Sequence, residues 1–294
     1  VVVIEEQLMN NSQMRDVSEA VLASMSEGEF AKWQCEQGKR VICHRSRYWQ
    51  EVIPGFYEPI HWMANLSAEQ ATRPTPFCWG FRASLRQNDA VTANGTMPVH
   101  VLSNIENYDF QSLESKRRNK LRKCYKLVKI VELTDPVLLQ EQGYEAVLSA
   151  GTRVGNLNIP SKEEYLASLT DYIAPGRRLV LAGLIDDKLG GYLTGYAVSG
   201  TAYIENTYIK TEVLPTNINV GLIFEFVQFC RRSGNIRQVV NGLHRPEDSD
   251  LNVFKKDMGF PVKHIPTRIW MNPIIRNFIR WRHPHKYYRL TGHN

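Results

Sequence analysis

Arg178–Lys210 reads RLVLAGLIDDKLGGYLTGYAVSGTAYIENTYIK. Strand-length runs rich in Leu, Val, Ile and Tyr are cut twice by pairs of turn residues, Asp186-Asp187 and Ser199-Gly200. The pattern predicts three strands, Arg178–Ile185, Leu189–Val198 and Thr201–Ile209, joined by tight turns into an antiparallel meander. Downstream the apolar period lengthens to that of a helix over Thr216–Arg232, and a strand follows at Arg237–Leu243. A short helix, Asp250–Met258, and a last strand, Val262–Met271, complete the run. The order β-β-β-α-β-α-β is a meander passing into alternating α/β.

Upstream, Phe110, Leu113, Arg117, Leu121, Cys124 and Val128 recur at steps of three and four and predict a long helix. A strand at Val128–Leu133 follows, and Asp135-Pro136 stops it and starts a helix at Val137–Leu148. A second helix, Lys162–Ile173, takes Ser161 as its cap. The first hundred residues read as strands at Arg40–His44, Ile60–Leu66, Phe77–Arg82 and Val99–Leu102, with Pro54-Gly55 as a turn. Val17, Val21, Leu22 and Met25 predict an opening amphipathic helix over 14–25.

The 294 residues are 43% hydrophobic and 22% charged, a globular balance that excludes a mainly disordered, collagen-like or coiled-coil chain. The longest apolar run, Leu179–Ile185, falls far short of the roughly 20 residues of a membrane span. The opening VVVIEEQLMN has no basic flank, so the chain is expected to be soluble and cytoplasmic. Five cysteines (Cys35, Cys43, Cys78, Cys124 and Cys230) lie far apart with no zinc-like spacing, which points to reduced, buried thiols and no metal. The motifs GxSxG, HExxH, GxGxxG and GxxxxGK[ST] are absent from the sequence.

Net charge is +6, yet Lys116–Lys129 alone carries eight cations and no acid, and Arg276–Arg289 carries five and no acid. The rest of the chain is therefore acidic. Such stripes attract phosphate in nucleic acid, lipid or nucleotide, or they are solvated helix faces. The second stripe, RNFIRWRHPHKYYR, interleaves aromatics with cations, as a stacking surface, an interfacial anchor or a docked helix would.

Two stretches carry a resemblance to a known family. They are GLIFEFVQFCRRSGNIRQVVNGLHRPEDSDLNVFKKDMGF (Gly221–Phe260) and YDFQSLESKRRNKLRKCYK (Tyr108–Lys126). With the element order between them they resemble the GNAT acyltransferases, in their FemAB-like branch. The marks are Gly234 after an apolar helix, the strand end Val239–Gly242, Phe254-Lys255 and Gly259-Phe260. The resemblance implies an α/β (α+β) fold: a mixed, mostly antiparallel sheet flanked by helices, with a smaller N-terminal lobe that is itself loosely GNAT-like. It implies a lobe at 1–105, an acyltransferase domain at 106–272 opened by a basic linking helix at 106–127, and a basic aromatic tail at 273–294. One departure stands out. Coenzyme A users of the family carry an Arg/Gln-x-x-Gly-x-Gly/Ala loop, and here LPTNINVGLIF (Leu214–Phe224) keeps only Gly221. FemAB relatives, which often take an aminoacyl group from charged tRNA, share that departure.

The resemblance implies an N-acyltransferase that moves an acyl or aminoacyl group from acyl-CoA or charged tRNA to an amine on a peptide, sugar or metabolite. Such chemistry needs a proton acceptor, donors for an oxyanion (usually freed by a kink in the central strand) and proximity. Alternation along Thr201–Ile209 groups Tyr203, Glu205 and Thr207, making Glu205 the candidate base with Tyr203 beside it. Asn241 and His244 bracket the next strand end, and His244 has the pKa of an acid or base. Asn217, Asn219, Val220 and Gly221 open the helix that would face the donor, with Asn241 and Lys255 as further contacts. Trp79 and Arg82 are candidates for an acceptor groove. Each residue also has a structural reading: ion-paired strand Glu, loop His, helix-surface Lys, core Trp. The competing expectation is a catalytically silent module that binds RNA or another anion through Lys116–Lys129, and a third is an enzyme resting on anionic lipid through Arg276–Arg289.

Overall fold

The computed structural model describes residues 14–20, 22–155, 158–169 and 177–293. The strands are β1 (Met14–Asp16), β2 (Ser24–Met25), β3 (Val41–His44), β4 (Arg47–Ile53), β5 (Phe56–Pro59), β6 (Gly80–Ser84), β7 (Gly95–Leu102), β8 (Lys129–Leu133), β9 (Arg178–Ile185), β10 (Lys188–Val198), β11 (Thr201–Ile209), β12 (Gln238–Leu243) and β13 (Val262–Met271). The helices are α1 (Glu27–Glu36), α2 (Ser115–Leu127), α3 (Tyr144–Val154), α4 (Lys162–Ser168), α5 (Ile218–Arg232), α6 (Ser249–Asp257), α7 (Pro273–Arg282) and α8 (Pro284–Thr291). The chain divides into two units. Val1–Ser24, Leu102–Val239 and Asp257–Gly259 form the first; Met25–Val101, Val240–Lys256 and Phe260–Asn294 form the second.

In the first unit β1, β8, β9, β10 and β11 lie side by side in that order, every pair antiparallel. The meander has the predicted turns: Asp186 and Asp187, then Ser199 and Gly200, all take positive φ. Two such residues in a row make the tight turn whose twist matches that of paired strands. One sheet face packs Val180, Ala182, Leu184 and Tyr192 against Leu139, Val147 and Tyr165. The other face receives α5, where a Cβ on Gly183 would stand 2.5 Å from the Ile218 side chain. Cover on both faces explains why Leu179–Ile185 is apolar without alternation. Beyond α5 lies α2, whose buried Arg117 is paired with Asp257 at 2.7 Å.

One local expectation is corrected in this unit and two are refined. The described residues of 14–25 form no α-helix: Met14–Asp16 pairs with β8, and the Asp16 carboxylate accepts the Ser18 N–H at 2.8 Å, capping a single 3₁₀ turn. That side chain offers the backbone a turn in place of a helix, while Val17 and Leu22 are still buried. The helix expected at Val137–Leu148 forms, but a wide π-type turn at Leu139–Gly143 interrupts its α-geometry and α3 carries it on to Val154. The Ser161 cap is present as a full capping box with Glu164, but α4 ends at Ser168, and part of the expected continuation to Ile173 lies outside the described residues.

In the second unit the strands run β12-β7-β13-β6-β5-β4-β3. The β7–β13, β13–β6, β5–β4 and β4–β3 pairs are antiparallel, and β5–β6 is parallel. Residues 262–271 therefore sit between β6 and β7. The strand expected at Ile60–Leu66 does not form. Pro54-Gly55 instead joins β4 to β5, and Ile60, Ala64 and Leu66 fill the core from irregular backbone. The strand expected at Phe77–Arg82 starts later, at Gly80. The core is built on Trp49 and Phe81, edge to face at 5.8 Å. A smaller cluster of Phe56, Ile269 and Met271 is covered by Trp79, Ile279, Tyr287 and Leu290, which docks α7 and α8. All cysteines are free; Cys78, Cys124 and Cys230 are buried as expected, but Cys35 and Cys43 are exposed.

Candidate functional site

In the second unit, β12 ends at a turn that gathers titratable side chains. Gly242, the last residue but one of the strand, takes φ +78, a backbone that glycine adopts without strain. Asn241 is 8% exposed, and its buried Nδ2 has no hydrogen-bond partner among the described residues. Such an orphaned donor costs about 1–3 kcal/mol unless something binds it. Its backbone carbonyl accepts from Lys255 Nζ of α6 at 2.6 Å. Burial, helped by the charge of Arg245 and opposed by Asp248, brings the Lys255 ammonium down to about 8.

His244 follows within one turn. Its N–H donates to the Pro98 carbonyl at 2.9 Å, tying it to β7. Its ring Nδ1 is 3.1 Å from the Tyr288 hydroxyl of α8, and its ring centroid is 5.7 Å from that of His100. Burial holds its pKa below the ordinary value, aided by His100, His264 and Lys255 and opposed by Glu247. His100 is fully buried on β7, with Nδ1 2.9 Å from the Phe260 carbonyl and Nε2 3.1 Å from Asn252 Oδ1. Asn252 Nδ2 donates to the Arg245 carbonyl at 2.6 Å, which turns its oxygen toward the ring. Burial also lowers the His100 pKa. Asn241, His244 and Lys255, singled out separately in the sequence, thus meet in one cluster. His100, Asn252 and Tyr288 were not foreseen. The signal for His100 was a polar residue inside the apolar strand Pro98-Val-His-Val-Leu102, which must find partners.

Trp79 and Arg82 lie elsewhere in this unit. Trp79 packs on Phe56 at 4.9 Å and donates its Nε1–H to the Pro54 carbonyl at 2.7 Å. Arg82 is 4% exposed, pairs with Glu58 at 2.6 Å and donates to the Arg289 carbonyl. Its guanidinium holds α8 to the sheet.

In the first unit, Thr194 lies opposite Asn206 and Gly195 opposite Ile204, so Glu205 is the extra residue of a bulge in β11. The kink expected in the central strand is there, and it breaks the alternation: Tyr203 is buried and stacked on Tyr196, whereas Glu205 and Thr207 are exposed. Glu205 receives Arg178 Nε at 3.0 Å and Nη2 at 3.2 Å, a bidentate pair, with Thr194 Oγ1 at 3.3 Å. At the start of α5, Asn217 takes φ +62 and its carbonyl accepts the N–H groups of Val220 at 2.9 Å and Gly221 at 3.3 Å. Asn219 Oδ1 also accepts from Val220 at 3.0 Å. A Cβ on Gly221 would stand 2.4 Å from Cys124 Sγ, so α2 packing accounts for this glycine. No group of His, Cys, Asp and Glu among the described residues is arranged to hold a metal ion.

No family model and no curated protein matches the chain. Among solved structures, FemX superposes with a TM-score of 0.60 at 10% identity, over 85% of this chain and 93% of that one. L-PGS from Bacillus licheniformis superposes with a TM-score of 0.53 at 10% identity, over 87% and 95%. At that identity the likeness is one of fold, and the fold is GNAT-like: a mixed, mostly antiparallel sheet flanked by helices.

Proposed function

We propose that the protein is an N-acyltransferase that joins an acyl or aminoacyl group to an amine, in the manner of the FemAB-like branch. The observation that carries the reading is the unpartnered, buried Asn241 amide beside His244 and Lys255. A carbonyl oxygen that becomes an oxyanion is the partner such a donor lacks. With Nδ1–H donated to Tyr288, His244 Nε2 is the proton acceptor for the attacking amine. The amine nitrogen bonds to the carbonyl carbon, the tetrahedral oxygen is held by Asn241, and the bond to the donor's sulfur or oxygen breaks. His244 then returns its proton to the leaving group. Lys255 anchors the Asn241 carbonyl and adds positive charge. The reading gives the base to His244 and not to Glu205, whose carboxylate is engaged by Arg178.

The donor is acyl-CoA or aminoacyl-tRNA. The opening of α5 at Asn217, Asn219, Val220 and Gly221 favours the second, because Leu214–Phe224 keeps only Gly221 of the phosphate loop that coenzyme A users of the GNAT family carry. The α2 cations Lys116, Lys123 and Lys126 are exposed and suit a polyanion, and they equally suit a silent anion-binding module. Mass spectrometry of a primary-amine peptide incubated with protein and either donor separates these readings. Transfer is expected with one donor. His244→Ala and Asn241→Ala are each expected to lose on the order of 100-fold in rate with Tm little changed. No product with either donor, or product indifferent to both substitutions, rejects the proposal.

A further inference from the structure

The start of α7 is fixed by Asn272, whose side chain accepts the Ile274 N–H at 3.0 Å, and by Pro273 in the first turn. Ile279 docks on the cluster of Phe56, Ile269 and Met271. Ile274, Phe278 and Trp281, spaced by four and three, share a different face and are 80%, 55% and 78% exposed. No acid occurs between 273 and 293. Arg276, Arg280, Arg282 and, on α8, Lys286 have no ion-pair partner among the described residues, whereas His285 and Arg289 face Glu247 at 3.9 Å. A second apolar projection is tied to the same helix end: the Asn272 N–H donates to the Trp79 carbonyl at 2.7 Å, and Phe77, two residues before Trp79, is 94% exposed.

We infer that α7 with the Phe77 loop is a docking surface for an anionic lipid bilayer. An apolar stripe with Trp and Phe, flanked by unpaired cations and carried on a helix that lies along the protein, is the arrangement that buries its apolar face at the headgroup boundary. Trp281 suits that depth, with an apolar body and a polar N–H. The same charges disfavour a second copy of the chain, since a symmetric contact through this face would bring like charges together. The apolar width of the stripe is more than a nucleic-acid backbone uses. None of these residues belongs to the Asn241 cluster, so the surface stands whether or not that cluster transfers an acyl group.

The test is flotation of the full chain with vesicles of phosphatidylcholine alone and of phosphatidylcholine mixed with phosphatidylserine. The protein is expected to float with the mixed vesicles, weakly with the neutral ones, and less as salt is raised. Phe278→Ser with Trp281→Ser, both at exposed positions, is expected to weaken binding roughly tenfold or more without lowering Tm. Arg276→Gln with Arg280→Gln is expected to abolish the preference for phosphatidylserine. The inference fails if the protein floats with neither vesicle, or if the aromatic pair changes nothing. It also fails if light scattering shows a dimer that this pair dissolves while vesicle binding is unaltered.

Discussion

Lys255 is the residue whose environment makes the most measurable claim. Its ammonium is held at about 8 in the folded chain against 10.5 when free. Between those values the unfolded chain binds more protons than the folded one, so folding stability rises with pH across that window. Below pH 8 the full cost applies, about 3 kcal/mol. Lys255→Met removes the titration while keeping the volume. Urea midpoints measured from pH 7 to 10.5 are expected to show wild type gaining on the variant as pH rises, with the gain setting in near 8. A difference that stays flat would mean that the amine is solvated. His244 titrates at the other end: with its pKa held below 6.5, its ring is neutral at pH 7 and accepts a proton without first losing one. The residues missed from sequence have two causes. His100 meets Asn252 of α6, and His244 meets Tyr288 of α8, because helices pack onto the strands that carry them, whereas Arg178 meets Glu205 through a contact set by strand register. The register is shifted at Leu189/Gly191 and again at Thr194/Gly195, and alternation alone does not reveal such one-residue bulges.

Among the elements, α5 shows how a motif residue is read twice. Gly221 stands where the sequence invites comparison with a phosphate loop, yet it is needed because α2 presses Cys124 against it. Gly221→Ala is expected to cost about 1–3 kcal/mol by overpacking. Cys124→Ala makes room, so the double variant is expected to be more stable than the sum of the two losses predicts. Additive losses in thermal denaturation would return the glycine to a role at the backbone. The meander strands were legible because two-residue turns of Asp-Asp and Ser-Gly leave little choice of pairing. The segment 60–66 was not, because buried apolar residues look the same whether they sit in a ladder or in a coil that happens to be covered.

At the scale of the whole molecule, the chain is laced and not laid end to end. Thr267 pairs with Ser84 and Ile265 with Met97, so β13 is clasped by strands made far earlier. A fragment of residues 106–272 keeps β13 but loses both of its neighbours. It is expected to show residues 262–271 exchanging amide hydrogens freely, with protection retained in β9, β10 and β11. Protection across β13 in that fragment would give it another partner. The fold class was legible from the order of elements, while this lacing was not, because a strand's sequence states its period and not its neighbour.

The clasp also sets a timetable. Hairpins closed by two residues zip within microseconds of leaving the ribosome, but β6 and β7 must wait for 262–271 to be translated. Until then each carries an open edge, and a newborn chain in that interval is the form most exposed to clumping and to chaperones.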